Sequence, residues 1–247
     1  MIDELLRYEE VHYSYSGGSP ALSGVNLGIT RGRRTAILGR NGCGKTTLML
    51  MGNGLLRPQR GSVWFDGKPM DYSKDGLMQV RSRVGFIFQE TESQLFSASV
   101  EQDVSFGPFN LGWDEHRVAE ATELALSQTG CDAFRHKPTH HLSGGQKKRA
   151  AVAGVVAMHP TIILADEPTA HLDPQGVDDL IDLFTTLHAG GMTFAVATHN
   201  LVFARSWFDD AIVMSEGRPL ASGPTSEILA DTNLLKKAGL YSKYSGE

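Results

Sequence analysis

The chain has 247 residues, 41% of them hydrophobic and 21% charged, a globular composition that excludes disordered and fibrous classes and predicts one compact unit. A net charge of −5 advertises no basic surface, so nucleic acid is not an expected partner. Two cysteines, Cys43 and Cys131, make no disulfide framework and suit a reducing compartment; the start MIDELLRYEE does not read as a signal peptide, and no apolar run reaches the roughly 20 residues that span a bilayer.

In chain order, YEEVHYSYS and GVNLGIT have the alternation and β-branched content of half-buried strands, and RRTAILG predicts a third strand that stops at a glycine. From Lys45, KTTLMLMGNGLL predicts a helix. VGFIF, TIILAD, TFAVAT and DAIVM are short apolar runs of the kind buried on both faces of a parallel sheet. DEHRVAEATELALSQTG carries apolar residues at helical spacing and a glycine near its end, which predicts an inserted helical layer. After MSEGRPLASGPTSEILAD the tail is expected to close in a short polar helix. There is no internal repeat or heptad series.

Three motifs carry chemistry. GRNGCGKT, residues 39–46, sits between a predicted strand and a predicted helix and fits G-x-x-x-x-G-K-[ST]. Its glycines let backbone wrap around phosphates, Lys45 offers charge to the β- and γ-phosphates, and the Thr46 hydroxyl suits Mg²⁺. Gly39, Arg40, Asn41, Gly42, Cys43, Gly44, Lys45, Thr46 and Thr47 are therefore the expected nucleotide contacts. In TIILADEPT an apolar strand delivers Asp166, suited to hold Mg²⁺, and Glu167, suited to orient or deprotonate the attacking water. VATHN ends a strand at His199, placed to reach a γ-phosphate.

A fourth stretch, HHLSGGQKKR, raises a different question. Ser143 and Gln146 have the spacing of a capping box, but Gly144 and Gly145 would each cost about 1 kcal/mol inside a helix relative to alanine. Something must approach this backbone closely, and a helix N-terminus most often meets an anion. The chain then has two phosphate cradles, Lys45 in one and Ser143 to Gln146 in the other, but one Asp166–Glu167 pair. That favours a head-to-tail dimer in which the second cradle serves the nucleotide of another copy.

These motifs, in this order, resemble those of the ATP-binding cassette family over essentially the whole chain. The resemblance implies an α/β P-loop NTPase fold: a RecA-like, mostly parallel sheet, an N-terminal antiparallel β layer and a helical subdomain inserted at about residues 90–158 of a single domain spanning 1–247. It implies that Tyr15 stacks on adenine, with Tyr13 the other register. Gln89 is then the residue that senses γ-phosphate and metal, LSGGQ is the signature, Glu167 the catalytic carboxylate, Asp173 the acid of a loop crossing the dimer interface, and His199 the switch histidine. His171 departs from the pattern, which has a smaller residue there, and Cys43 is a modest change. QLFSASVEQDVSFGPFNLG is similar to ATPases of energy-coupling-factor importers, and HHLSGGQKKRAAVAGVVAMHP to their cobalt and nickel branch. The implied assembly places a homodimer of this chain on the cytoplasmic face of the membrane, using ATP and Mg²⁺, with a transmembrane coupling component and a membrane-embedded metal-binding component. A vitamin importer, or a non-transport ATPase of the superfamily, is the alternative. A P-loop kinase or switch GTPase would explain only residues 39–46.

Four further expectations concern Cys43 and three short groups of residues. Amides around Cys43 should lower its thiol pKa and make it reactive, the competing reading being that Cys43 is merely a small filler. Lys147, Lys148 and Arg149 read as a helix surface. His136, His140 and His141 lack an accompanying thiolate or carboxylate at ligand spacing and are read as a solvated or interface face rather than a metal site. Gln94, Leu95 and Phe96, just past Gln89, read as an anchor for a helix of the coupling protein, the competing reading being that Phe96 caps the core of the helical layer.

Overall fold

The computed structural model describes residues 3–241, which form two compact units: one from the chain up to Val80 together with Thr193 onward, the other from Arg81–Met192. In chain order the first elements are β1 (Glu4–Ser14), β2 (Pro20–Thr30), β3 (Arg34–Leu38), α1 (Lys45–Gly52), β4 (Arg60–Phe65), β5 (Lys68–Pro69) and α2 (Lys74–Arg83). Then come β6 (Val84–Ile87), α3 (Val100–Asn110), α4 (Glu115–Thr129), α5 (Gly144–Val156), β7 (Ile162–Asp166) and α6 (Pro174–Ala189). The chain finishes with β8 (Thr193–Thr198), α7 (Leu201–Trp207), β9 (Asp210–Ser215), β10 (Arg218–Pro224), α8 (Thr225–Ala230) and α9 (Thr232–Lys237).

In the first unit β1 pairs antiparallel with β2 and β4, and β4 with β5. Leu6 and Tyr8 face inward by strand alternation, but the next buried residue is Val11, an odd step. A register shift between Tyr8 and Val11, with Glu10 at φ 48, resets the pleat, as a β-bulge does. The Tyr8 hydroxyl then donates to the Leu48 carbonyl of α1 at 3.0 Å. Burial pushes that phenol's pKa far up, so it stays a protonated donor.

The same unit holds β3 in parallel register with β8 on one side and β9 on the other, Ala36 lying opposite both Val196 and Ala211. All of β8 is buried, which explains why TFAVAT shows no alternation. The hairpin of β9 with β10 is an element the sequence reading missed. Its turn residues, Glu216 and Gly217, both have positive φ, 48 and 73, the conformation of a type I′ turn whose twist matches its strands. The helix predicted through Leu56 ends at Gly52, because Asn53 and Gly54 follow and Gly54 turns left-handed at φ 71.

In the second unit β6 pairs in parallel with β7, Gly85 opposite Ile163. Helices α3, α4 and α5 pack on one another, and Val104, Ala121, Ala125, Leu126, Ala151 and Val152 are buried among their residues. Asp114 caps α4, and Gly130, at φ 66, ends it where the sequence pattern places a glycine. Helix α6 buries Leu180, Leu183, Phe184 and Leu187, a single stripe at helical spacing.

Two substitutions separate packing from hydrogen bonding in these layers. Leu126→Ala, at 0% exposure, should cost about 2–5 kcal/mol, and Tyr8→Phe about 1 kcal/mol, read as shifts of the urea midpoint at unchanged slope.

Candidate functional site

The glycine-rich loop leaves β3 at Leu38 and enters α1 at Lys45. Cys43 N donates to the Arg40 carbonyl at 3.2 Å, closing a turn that leaves Arg40, Asn41 and Gly42 exposed. Gly44 sits at φ 106, and a Cβ there would lie 2.5 Å from the Ala21 carbonyl oxygen, so only glycine fits. Because α1 starts at the next residue, the amides of Lys45, Thr46 and Thr47 form its first turn, which faces out of the helix N-terminus. Lys45 is buried, its ammonium donating to the carbonyls of Gly39 at 2.7 Å and Arg40 at 3.3 Å. The charge is thus held over its own loop. Thr46 is exposed and Thr47 buried.

Tyr15 is 49% exposed, its hydroxyl 3.2 Å from Thr47 Oγ1, and its ring meets Tyr13 edge-on at 5.1 Å. Through that contact Tyr15 reaches the first turn of α1. His199 follows β8 as an exposed residue, and its neighbour Asn200 caps α7 by accepting from Phe203 N at 3.0 Å.

The expectation for Cys43 is corrected by this geometry. The residue is 7% exposed, and burial pushes the thiol pKa up, outweighing the opposing Lys45 charge and loop amides.

In the second unit β7 ends on Asp166, 6% exposed, followed by Glu167, 7% exposed and at φ 42. The left-handed region costs energy in a non-glycine residue, so the surrounding structure must hold Glu167 there. Ala170 N donates to the Glu167 carbonyl at 3.0 Å, so the chain turns back at once. His171 is also left-handed, at φ 64, which gives a physical reason for the smaller residue of the family pattern. Asp173 caps α6, accepting from Gly176 N at 2.8 Å.

The signature stretch forms the capping box its spacing predicts: Gln146 N donates to Ser143 Oγ at 3.3 Å and Ser143 N to Gln146 Oε1 at 3.2 Å. The two glycines have no internal packing reason. A Cβ at Gly145 would meet no atom from elsewhere in the chain within 4 Å, and one at Gly144 only the His171 carbonyl at 3.9 Å.

Gln89 lies just past β6 with an exposed side chain. Its carbonyl accepts from the Lys148 ammonium at 3.0 Å, and the Phe88 carbonyl at 3.4 Å. Lys148 is 3% exposed, so the reading of Lys147 to Arg149 as a surface fails at its centre. Lys148 stands in helical register with the buried Ala151, Val152 and Val155, a signal the charge run hid. Burial pushes its pKa down to about 8, against the pull of Glu90 and Asp166. Arg149 pairs with Asp179 and Lys147 with Glu92. Phe96 is 63% exposed with its ring against Phe106, and Leu95 is half-buried. Of the histidines, His136 lies 3.2 Å from Glu101, and His140 and His141 meet ring to ring.

A strand, glycine-rich loop and helix with a buried loop lysine define a P-loop nucleotide-binding protein. The chain matches the ABC transporter family over residues 22–170. The energy-coupling factor transporter ATP-binding protein EcfA2 of Clostridium perfringens is 45% identical over 241 residues, covering 97% of this chain and 85% of that protein. Among solved structures, CbiO1 of Clostridium perfringens, part of the ABC transporter complex CbiONQ, has a TM-score of 0.85 at 45% identity, covering 96% of this chain and 95% of that one. The ATP-binding cassette MJ0796, a dimer in a post-hydrolysis state bound to ADP and Pi, has a TM-score of 0.80 at 27% identity, covering 89% and 98%. The chain belongs to the ABC transporter family, as an ATPase of the energy-coupling factor type whose hydrolysis of ATP is coupled to transport.

Alkylation tests the corrected Cys43 reading. With iodoacetamide at neutral pH, Cys43 should be labelled more slowly than free cysteine, by mass spectrometry of the intact chain; labelling at the free rate or faster would contradict a buried, raised thiol.

Proposed function

We propose that this chain is the ATPase of an energy-coupling factor importer for a transition-metal ion, cobalt or nickel, and works as a homodimer. The partners in this reading are a transmembrane coupling component and a membrane-embedded metal-binding component, with the ATPase held peripherally on the cytoplasmic face. Among the described residues no helix is long and apolar enough to cross a membrane. The observation that supports the dimer is the open space at Gly144 and Gly145: beyond its own helix and chain neighbours a Cβ at Gly145 would meet nothing within 4 Å, which leaves this backbone accessible to another copy of the chain. The likeness to CbiO1, and the run from His140 to Pro160 resembling the cobalt and nickel branch, support the cargo.

The chemistry follows from the donor sets. Loop amides and the α1 N-terminus bind the phosphates of ATP, and Lys45 exchanges a loop carbonyl for a phosphate oxygen. Tyr15 stacks on the base. The hydroxyl of Thr46, the amide oxygen of Gln89 and the carboxylate of Asp166 are hard oxygen donors, the set that fits Mg²⁺. The ion would neutralise charge on the β- and γ-phosphates. Glu167 orients the water that attacks the γ-phosphorus, and His199 steadies the γ-phosphate; the products are ADP and phosphate. Ser143 and the amides after it on one copy close over the nucleotide of the other, with Asp173 at the same interface. The exposed Phe96, with Phe106 beside it, is the anchor for a helix of the coupling component, so ATP binding at Gln89 is passed to that helix a few residues further on.

Glu167→Gln should lower kcat by about a hundredfold or more with ATP binding retained, because the amide keeps the shape and loses the charge; Lys45→Ala should weaken binding itself, read by nucleotide titration. Ser143→Arg alone and Lys45→Ala alone should both be inactive, yet their mixture should recover ATPase activity, since one composite site then keeps an intact loop and an intact signature. Absence of recovery, together with lost monomer binding in Ser143→Arg, would place the second cradle in cis. For the cargo, cells expressing this chain together with its membrane components should accumulate radiolabelled cobalt or nickel in an ATPase-dependent way, and accumulation of a labelled vitamin instead would overturn the metal reading.

A further inference from the structure

Lys148 is in an expensive place. It is 3% exposed and lies in the N-terminal part of α5, the end of a helix where a cation is least welcome. A lysine kept there needs partners that no apolar residue could serve. Its partners are two consecutive backbone carbonyls, those of Phe88 and Gln89, which lie beyond the last strand residue of β6, Ile87. The segment they begin is tied down twice more. Gln94 reaches back, donating to the Phe86 carbonyl at 3.2 Å and accepting from Phe88 N at 3.2 Å. Lys147, adjacent to Lys148, pairs with Glu92. Residues 88–94 are therefore closed on themselves by Gln94 and fastened to α5 by two neighbouring lysines, little more than one helical turn from Ser143.

We propose that Lys148 is a positioning residue that joins the Gln89 segment to the signature helix, so that a displacement of Gln89 carries Ser143 with it. The inference rests on the reading that Gln89 meets the chain's own nucleotide while Ser143 serves its partner's. Under that reading Lys148 is the connection through which the occupancy of one site sets the readiness of the other. Lys147 guides the same motion from the surface, its partner Glu92 being on the exposed rim.

Hydrogen exchange on the full-length chain, with and without saturating Mg-ATP, tests this directly. In the wild type, ATP should slow exchange in residues 88–94 and 143–147 together. Lys148→Met keeps the stem and removes the donor; it should retain the ATP response at 88–94 and lose it at 143–147. Its kcat should fall by about tenfold while KM for ATP stays within about threefold, a split that general loosening of the fold would not produce. Lys148→Gln, which keeps an N–H donor on a stem one atom shorter, should restore the joint response and most of kcat. Joint slowing in folded Lys148→Met with kcat near wild type overturns the role of Lys148 alone, as does a folded Lys148→Gln that behaves like Lys148→Met. If ATP leaves residues 88–94 unchanged in the wild type, the assignment of Gln89 fails and this inference with it.

Discussion

The loop between β3 and α1 depends on one backbone constraint. Phosphate is best met by amides, and amides become available where a helix begins, so the chain must leave a buried strand and start a helix within a few residues. Gly44 makes that turn at φ 106, pressed so closely on the Ala21 carbonyl that no side chain is tolerated. Lys45 can then be buried, because the loop's carbonyls satisfy its ammonium. The anchoring strand is stable for an unrelated reason: β3 is flanked in parallel by β8 and β9, and apolar burial on both sides holds its end in place.

The second unit meets the same demand by strain. Asp166 ends its strand in regular geometry, whereas Glu167 and His171 both occupy the left-handed region. Each such residue costs about 1–3 kcal/mol, and surrounding structure must over-determine it. That structure is visible: β7 is buried throughout, the Glu167 carbonyl is held by Ala170 N, and Asp173 begins α6 with a cap. The Glu167 backbone is thus fixed from behind and ahead, which suits the proposed role of aiming a water molecule rather than searching for it.

Charge burial shows how the signature helix is placed. The capping box explains Ser143 and Gln146, and the glycines leave the backbone open, but neither orients the helix within its unit. Lys148 does so from inside and Lys147 and Arg149 from the rim, each with a different partner. Three adjacent basic residues thus have three different sets of partners.

The amino-acid sequence by itself determined whatever depends on local backbone chemistry. The glycines, lysine and threonine of residues 39–46, the Ser143 capping box, the Gly130 helix end and the buried runs of β3, β7 and β8 all follow from rules acting over a few positions. The Glu216–Gly217 turn was legible in the same way and was missed, since its flanking residues lack strong alternation. Side-chain environments were decided only by tertiary structure. Cys43 is surrounded by amides in the sequence but lies buried, and desolvation prevails over the nearby charge. Lys148 sits in a basic run yet faces the interior, because the segment after β6 presents the Phe88 and Gln89 carbonyls there to accept from its ammonium. Both cases turn on which atoms arrive from distant parts of the chain to displace water, and sequence spacing carries no record of that.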